Sequence, residues 1–138
     1  MAEAQAKSVA HLKMISPEFA VHDVVAAAEY YRDILGFKIL GYFARPPVYA
    51  IVGRDSAVIH LGRVDNGTSA SPNVTRRVLG LDAYIWVDDL DALYEELRSR
   101  GAKVIDPPTM RVNECYEMVV EDNFGFRLAF SQDALNAR

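Results

Sequence analysis

Apolar residues follow two spacings along the chain, and these spacings alternate in the same order twice. Residues 24–35 place apolar side chains three or four positions apart, which predicts a helix with one apolar face. Asp23 precedes this helix as the expected N-cap and Gly36 follows as the expected stop. A second helical run has Asp89 and Gly101 in the same places, and the two capping aspartates are 66 residues apart. The chain therefore contains a duplicated unit.

Extended runs surround both predicted helices. Residues 17–22 form an extended run with one wholly apolar face before the first helix, and Ala83 to Val87 are apolar on both faces before the second. Three strand-like runs follow each glycine, and turn residues such as Pro107 and Pro108 separate them. The runs are 37–43, 48–53 and 57–62 in the first copy, then 102–105, 114–120 and 126–130 in the second. Each copy is predicted to be strand, helix and three strands, which gives an α+β fold of tandem βαβββ modules.

The duplication predicts one domain with an open sheet face in each half. A four-stranded sheet with one helix covers only one of its faces, so two such sheets would form a curved trough, where we expect the functional site. The predicted boundaries are a flexible tail over 1–14, a single domain over 15–132 and a C-terminal tail over 133–138. Within the domain we predict module 1 at about 15–63, a linker at 64–80 and module 2 at about 81–132. The stretch 66–77 is either a lid or only a connector.

Composition narrows the classes of partner. The 138 residues are 51% hydrophobic and 25% charged, which is typical of a globular chain. The net charge is −4 and the basic residues are scattered, so nucleic-acid or anionic-membrane binding is not expected. We see neither a signal peptide nor a membrane span, which favours a cytoplasmic protein. A single cysteine excludes an internal disulfide.

Three phrases carry a family resemblance. The sequences VHDVVAAAEYYRDILGF, VDDLDALYEELRSRGAKV and VEDNFGFRLAF resemble the vicinal-oxygen-chelate superfamily, which includes glyoxalase I, extradiol dioxygenases and bleomycin-resistance proteins. The likeness runs from about Ser16 to Gln132, and AYIWVDDLDALYEEL and LAFSQD are most similar to the bleomycin-resistance branch. It implies the glyoxalase/bleomycin resistance fold, a curved mixed sheet with a ligand trough. It also implies a homodimer.

The resemblance also implies four positions for a divalent metal, and this sequence fills them poorly. Ser16 and Ala129 stand where the superfamily has a histidine and a glutamate, so they supply no ligand. His60 and Asp82 occupy the other two positions, and Glu18 is a possible substitute. Two candidate ligands are too few for a tight catalytic site. We therefore expect no cofactor, no metal ligand and no catalytic residue.

Strand alternation selects a set of side chains for the trough. The residues expected to point into it are Glu18, His60, Asp82, Tyr84, Trp86 and Arg127. Tyr84 and Trp86 would stack on a flat ring or face a cation, and Glu18 and Asp82 would pair with an amine. Alternatively, the two aromatics fill a dimer interface or the sheet core, and His60 lines a pocket.

Three functions remain open at this point. The first is a metal-independent binding protein that sequesters a drug-like, cationic aromatic ligand in the trough. The second is a metal-dependent lyase, isomerase or dioxygenase that uses His60 with Asp82 or Glu18. The third is a subunit or regulatory module that kept the fold and lost the site. The missing ligands at Ser16 and Ala129 favour the first.

Overall fold

The computed structural model describes residues 9–65, 71–75, 80–112 and 114–133. Parts of the predicted tails and linker, at 1–8, 66–70, 76–79 and 134–138, lie outside the described residues. Module 1 contains β1 (Glu18–Val21), α1 (Val24–Asp33), β2 (Lys38–Phe43), β3 (Tyr49–Arg54) and β4 (Ala57–Arg63). A short 3₁₀ turn, Asn73–Thr75, precedes module 2. Module 2 contains β5 (Ala83–Trp86), α2 (Leu90–Ser99), β6 (Lys103–Met110), β7 (Cys115–Glu121) and β8 (Arg127–Asp133).

Both helices begin and end as their capping residues predict. Asp23 accepts a hydrogen bond from the backbone N–H of Ala26 at 2.9 Å, and Asp89 accepts one from Ala92 at 3.1 Å. The glycines that follow the helices have positive φ angles of 77° and 88°, a conformation that favours glycine. The repeated capping pattern in the sequence therefore marks two real helices.

The strands form two four-stranded sheets with the same topology. The strand order is β1-β4-β3-β2 in one sheet and β5-β8-β7-β6 in the other. In each sheet the first strand runs parallel to the last, and the remaining pairs are antiparallel. This is the predicted α+β architecture of two βαβββ modules. Neither helix in the described part of the chain has the length and apolar character that a membrane span needs.

One turn was predicted wrongly. Pro107 and Pro108 do not end a strand, because β6 continues through them to Met110. The register of β6 against β7 shifts between Asp106 and Thr109, so the two prolines lie in an irregular part of the ladder. Since β6 is an edge strand, it tolerates residues that have no backbone N–H to donate.

The core joins the two modules. Phe19 and Val21 of β1 are buried, whereas Glu18 and Ala20 on the opposite face of that strand are exposed. The ring of Phe19 stacks on that of Phe126 from module 2, with centroids 4.5 Å apart. Buried side chains of both modules belong to one cluster. Burial of the helix-side faces is therefore the main apolar contribution to stability.

Each module also reaches the helix of the other through its last hairpin. Arg54, at the end of β3, forms a bidentate ion pair with Glu96 of α2. Its Nη1 and Nη2 lie 3.0 and 2.7 Å from Oε2 and Oε1 of the glutamate. Asp122, just after β7, accepts a hydrogen bond of 2.8 Å from the hydroxyl of Tyr31 in α1. We call these two contacts the hairpin–helix clasps. They add polar contacts between the modules to the apolar core that both modules share.

The two clasps lie in different environments. Glu96 is half-buried, and its bond from Arg54 lowers its pKa. Asp122 is only 5% exposed, and burial raises its pKa to about 6 although Tyr31 and the backbone N–H groups of Phe124 and Phe126 all donate to it. One clasp is thus a partly solvated ion pair, and the other is a buried carboxyl group.

Candidate functional site

A cavity of about 850 Å³ lies between the two modules. Module 1 contributes the entry to β1, including Ser16 and Pro17, and the hairpin that joins β3 to β4. Module 2 contributes β5 and the first turns of α2. Buried apolar side chains from both modules line it as well, namely Leu35, Phe37, Ile59 and Phe130. The cavity is large enough for a drug-sized molecule.

Two aromatic residues of β5 line this cavity. Trp86 is 60% exposed and Tyr84 is 42% exposed, and their ring centroids are 5.4 Å apart at an interplanar angle of 57°. The hydroxyl of Tyr84 donates to Glu117, a β7 carboxylate that is only 8% exposed. Partial burial and this hydrogen bond raise the pKa of Tyr84. Tyr84 is therefore anchored at its hydroxyl, while the neighbouring indole of Trp86 presents more of its surface.

The charged side chains that line the cavity are mostly acidic. They comprise one cation, Arg54, and four carboxylates, Asp55, Asp88, Asp89 and Glu96. Arg54 is already paired with Glu96, and the three aspartates are exposed. The cavity therefore favours a neutral or positively charged ligand over an anion.

Glu18 and His60 meet at a second place, on the open face of module 1. They are paired residues of β1 and β4, and the hydroxyl of Tyr49 in β3 lies between them. This hydroxyl is 2.6 Å from Oε2 of Glu18 and 2.8 Å from Nδ1 of His60. The hydrogen bond to Glu18 raises the pKa of Tyr49 to about 12. Glu18, Tyr49 and His60 thus form one hydrogen-bonded cluster, which we call the module 1 triad.

Asp82 and Arg127 mainly hold the backbone and a neighbouring strand. The two carboxylate oxygens of Asp82 accept hydrogen bonds from the backbone N–H groups of Asn73 at 2.8 Å and Arg127 at 2.9 Å. The guanidinium of Arg127 pairs with Glu121 at 3.1 Å. Although burial opposes ionisation of Glu121, Lys103 and Arg127 lower its pKa. These contacts give Asp82 and Arg127 structural partners and leave them less able to meet a ligand.

The six predicted site residues therefore fall into three groups. The structure brings Glu18 together with His60 and Tyr84 together with Trp86, and it places Asp82 beside the backbone of Arg127.

Sequence reasoning missed Tyr49 as the partner of Glu18, and it missed Glu117 as the partner of Tyr84. Both lie on the third strand of their module, so strand alternation in that strand was the signal that could have found them.

The four positions that the superfamily uses for a metal do not fit one here. Ala129 is fully buried and has only a methyl group, and both oxygens of Asp82 already accept backbone hydrogen bonds. Nδ1 of His60 contacts Tyr49, and Ser16 lines the cavity instead. In the described ranges, no three His, Cys, Asp or Glu side chains gather closely enough to hold an ion. The side chains at these four positions therefore do not match the donor set of a divalent metal.

Comparison with known proteins gives a family and a fold. The family model of the Glyoxalase/Bleomycin resistance protein/Dioxygenase superfamily matches residues 9–130. None of the curated proteins matches the chain.

Several solved structures share the architecture. TioX from Micromonospora sp. ML1 is 17% identical, with 88% of this chain and 98% of TioX covered and a TM-score of 0.69. The bleomycin resistance determinant encoded on the transposon Tn5 is 18% identical, with 88% and 98% covered and a TM-score of 0.69. A glyoxalase-related enzyme from Clostridium phytofermentans is 14% identical, with 92% and 99% covered and a TM-score of 0.70. At these identities the likeness shows the fold alone.

Proposed function

We propose that this chain, which belongs to the Glyoxalase/Bleomycin resistance protein/Dioxygenase superfamily, is a metal-independent binding protein for a small cationic aromatic molecule. The ligand occupies the cavity between the modules, where Trp86 and Tyr84 contact its rings. The aspartates that line the same cavity attract its positive charge. Affinity comes from burying flat apolar surface, and selectivity comes from the charge.

The exposure of Trp86 is the observation that carries this proposal. A side chain of this size leaves 60% of its surface in solvent while it lines a cavity of about 850 Å³. Its neighbour Tyr84 is held by Glu117, so the aromatic surface is partly preorganised before a ligand arrives. Preorganisation lowers the entropic cost of binding, because fewer side-chain rotations are lost.

The name of one structural neighbour agrees with a drug-like ligand. The Tn5 protein is a bleomycin resistance determinant, and we propose that this chain sequesters a drug-like ligand. We also propose that the protein acts in the cytoplasm as a homodimer. Apolar side chains before β1, including Leu12, Met14 and Ile15, are exposed and support such an interface.

The test uses the fluorescence of Trp86, which is the only tryptophan in the chain. Bleomycin, a cationic acridine and an uncharged acridine are titrated into the protein while the indole emission is recorded. We expect saturable quenching by a cationic compound and weaker binding by its uncharged analogue. Absence of saturable quenching with every compound would contradict the proposal.

Two variants assign any binding to the cavity. Trp86→Ala removes the fluorescent reporter, so ligand binding to this variant is measured by ligand fluorescence or calorimetry. We expect the affinity to fall by roughly thirtyfold, about 2 kcal/mol. Asp88→Asn should lower the affinity for the cationic compound and leave the affinity for the uncharged compound unchanged, because only the Coulomb attraction is reduced. Equal loss for both compounds would mean that charge does not select the ligand.

The metal-dependent enzyme is the competing function, and elemental analysis separates the two. Protein purified without chelator, and protein reloaded with zinc, manganese, iron or nickel, should hold far less than one ion per chain. A stoichiometric ion that His60→Ala removes would favour the enzyme.

A further inference from the structure

The module 1 triad forms a chain of hydrogen bonds that ends at an imidazole. Its members come from three neighbouring strands, with Glu18 on β1, His60 on β4 and Tyr49 on β3. None of the three belongs to the lining of the cavity between the modules. The triad is therefore a separate arrangement of polar groups.

The direction of each hydrogen bond in this triad follows from the number of protons. An ionised carboxylate such as Glu18 only accepts, so the hydroxyl proton of Tyr49 lies in the 2.6 Å contact with Oε2. Tyr49 has no second proton, and its oxygen must therefore accept in the 2.8 Å contact with Nδ1 of His60. His60 accordingly carries its proton on Nδ1 when it is neutral. Its Nε2 then carries the lone pair.

The free nitrogen lies on the open face of the sheet. His60 is half-buried and alternates along β4 with the buried Ile59 and Leu61, which face the core. Among the described residues, none forms a hydrogen bond with Nε2 of His60. Phe43 is exposed and lies against Tyr49 with ring centroids 6.1 Å apart, so an apolar surface adjoins the triad. A small molecule on this face would meet both an apolar wall and a base.

We propose that the module 1 triad is a general-base site that works without a metal, with Nε2 of His60 accepting a proton from a neutral hydroxyl group of a bound small molecule. Glu18 is exposed and carries a negative charge, which disfavours an anionic ligand here. The ligand class is therefore a neutral weak acid such as a phenol or an enol. This site is additional to the cavity that binds the cationic aromatic molecule.

Proton transfer at this site balances within the triad. The O–H bond of the ligand breaks, an N–H bond forms at Nε2, and the electron pair stays on the ligand oxygen. His60 becomes an imidazolium that still donates from Nδ1 to Tyr49, and Tyr49 still donates to Glu18. Glu18 balances the new positive charge across Tyr49 without taking up a proton. Tyr49 and Glu18 act through His60 and are positioning residues.

The first experiment reads the proton position directly. Long-range ¹H–¹⁵N spectra of the full chain, recorded where His60 is neutral, should show the Nδ1–H tautomer of this residue. In Glu18→Gln the amide can donate as well as accept, so the direction is no longer fixed and we expect the Nε2–H form to appear. A wild-type His60 with its proton on Nε2 would overturn the proposal.

The second experiment measures the reactivity of Nε2. Diethyl pyrocarbonate acylates imidazole lone pairs, and mass spectrometry can follow His60 with His11 and His22 as internal references in the same chain. We expect Tyr49→Phe to slow acylation of His60 by about tenfold and to leave both references unchanged. Equal rates at His60 in the wild type and in Tyr49→Phe would contradict an activating relay. Ligand binding detected through Trp86 should be unaffected in this variant, so failure here is distinguishable from failure of the cavity site.

Discussion

In module 1, Tyr49 on β3 donates a hydrogen bond to Glu18 on β1. In module 2, Tyr84 on β5 donates one to Glu117 on β7. The positions are equivalent. Glu18 pairs with His60 as Tyr84 pairs with Ala129, and the third-strand residues Tyr49 and Glu117 pair two positions further along the last strand. The two modules therefore make the same hydrogen bond with its partners exchanged.

The neighbours of this bond differ between the modules. The last strand supplies His60 in module 1 and Ala129 in module 2, and the first strand supplies Ala20 in module 1 and Trp86 in module 2. The exchanged bond therefore ends in a basic imidazole on one face and in an aromatic surface on the other. One sheet scaffold thus holds two chemically different surfaces, and the difference arises at single positions.

The hairpin–helix clasps show the same divergence at the junction of the modules. Arg54 and Asp122 stand at equivalent ends of the third strands, yet the first forms a half-exposed ion pair and the second is a buried carboxyl. Replacing each residue by alanine distinguishes the contributions of the two clasps to the free energy of unfolding. Asp122→Ala leaves three donors, two of them buried, without their acceptor and should lower the free energy of unfolding by about 4 kcal/mol. Arg54→Ala is the matched control, with an expected loss of about 1 kcal/mol, and urea unfolding of both variants gives the comparison. Equal losses would show that burial does not distinguish the clasps.

The clasps should also respond to pH in opposite directions. Folding raises the pKa of Asp122 to about 6 from its usual 3.8, so its contribution to stability is complete below pH 4 and is lost as pH rises through 6. This change amounts to at most about 3 kcal/mol. Glu96 has a lowered pKa because of Arg54, so its contribution is present above its usual value of 4.5 and disappears as pH falls. Urea unfolding from pH 4 to pH 8 tests the first effect, and Asp122→Asn should remove it. A wild-type profile that matches this variant would refute the assignment.

The exchanged tyrosines should differ in their effect on stability. Among the described residues, Tyr84→Phe leaves the buried Glu117 with the 3.3 Å contact from Arg111 alone. This change should lower the free energy of unfolding by about 2 kcal/mol. Tyr49→Phe leaves the exposed Glu18 free to meet water and should cost less than about 1 kcal/mol. Thermal unfolding of the two variants measured side by side is sufficient. The reverse order would mean that solvent exposure of the carboxylate does not decide the cost.

The smallest effect is expected from the residue that matters most for the proposed ligand. Trp86→Ala should change the free energy of unfolding by less than about 0.5 kcal/mol, because most of its side chain is already in solvent. Thermal unfolding without ligand measures this. A larger loss would show that Trp86 supports the fold, and any loss of ligand affinity in this variant would then need a second explanation.

Much of the fold was predictable from the sequence because it depends on local patterns. Asp23 and Asp89 mark the starts of the helices as N-caps. The alternation of side chains in β1 places Phe19 and Val21 on the buried face and Glu18 on the exposed one. The prolines in β6 misled the prediction because their effect depends on whether the strand lies at an edge, which is a property of the whole sheet.

The site was less predictable because its contacts cross between strands. Strand alternation places Tyr84 and Trp86 on one face of β5, but the bonds from Tyr84 to Glu117 and from Tyr49 to Glu18 span a central strand and 33 or 31 residues of chain. Asp82 looked like a ligand-facing acid, and its backbone hydrogen bonds become visible only once the segment before β5 is placed beside Asn73 and β8. Periodicity assigns a side chain to a face and does not identify its partner.

The reciprocal clasps also bear on the evolutionary history of the chain. Two identical, unlinked modules related by a two-fold axis must make both of their contacts with the same residues. Arg54 with Glu96 and Asp122 with Tyr31 are chemically unlike, so this symmetry has been lost. Fusion of the two gene copies permits such a loss, because each contact is then encoded separately. The unlike clasps are thus a record of divergence after duplication.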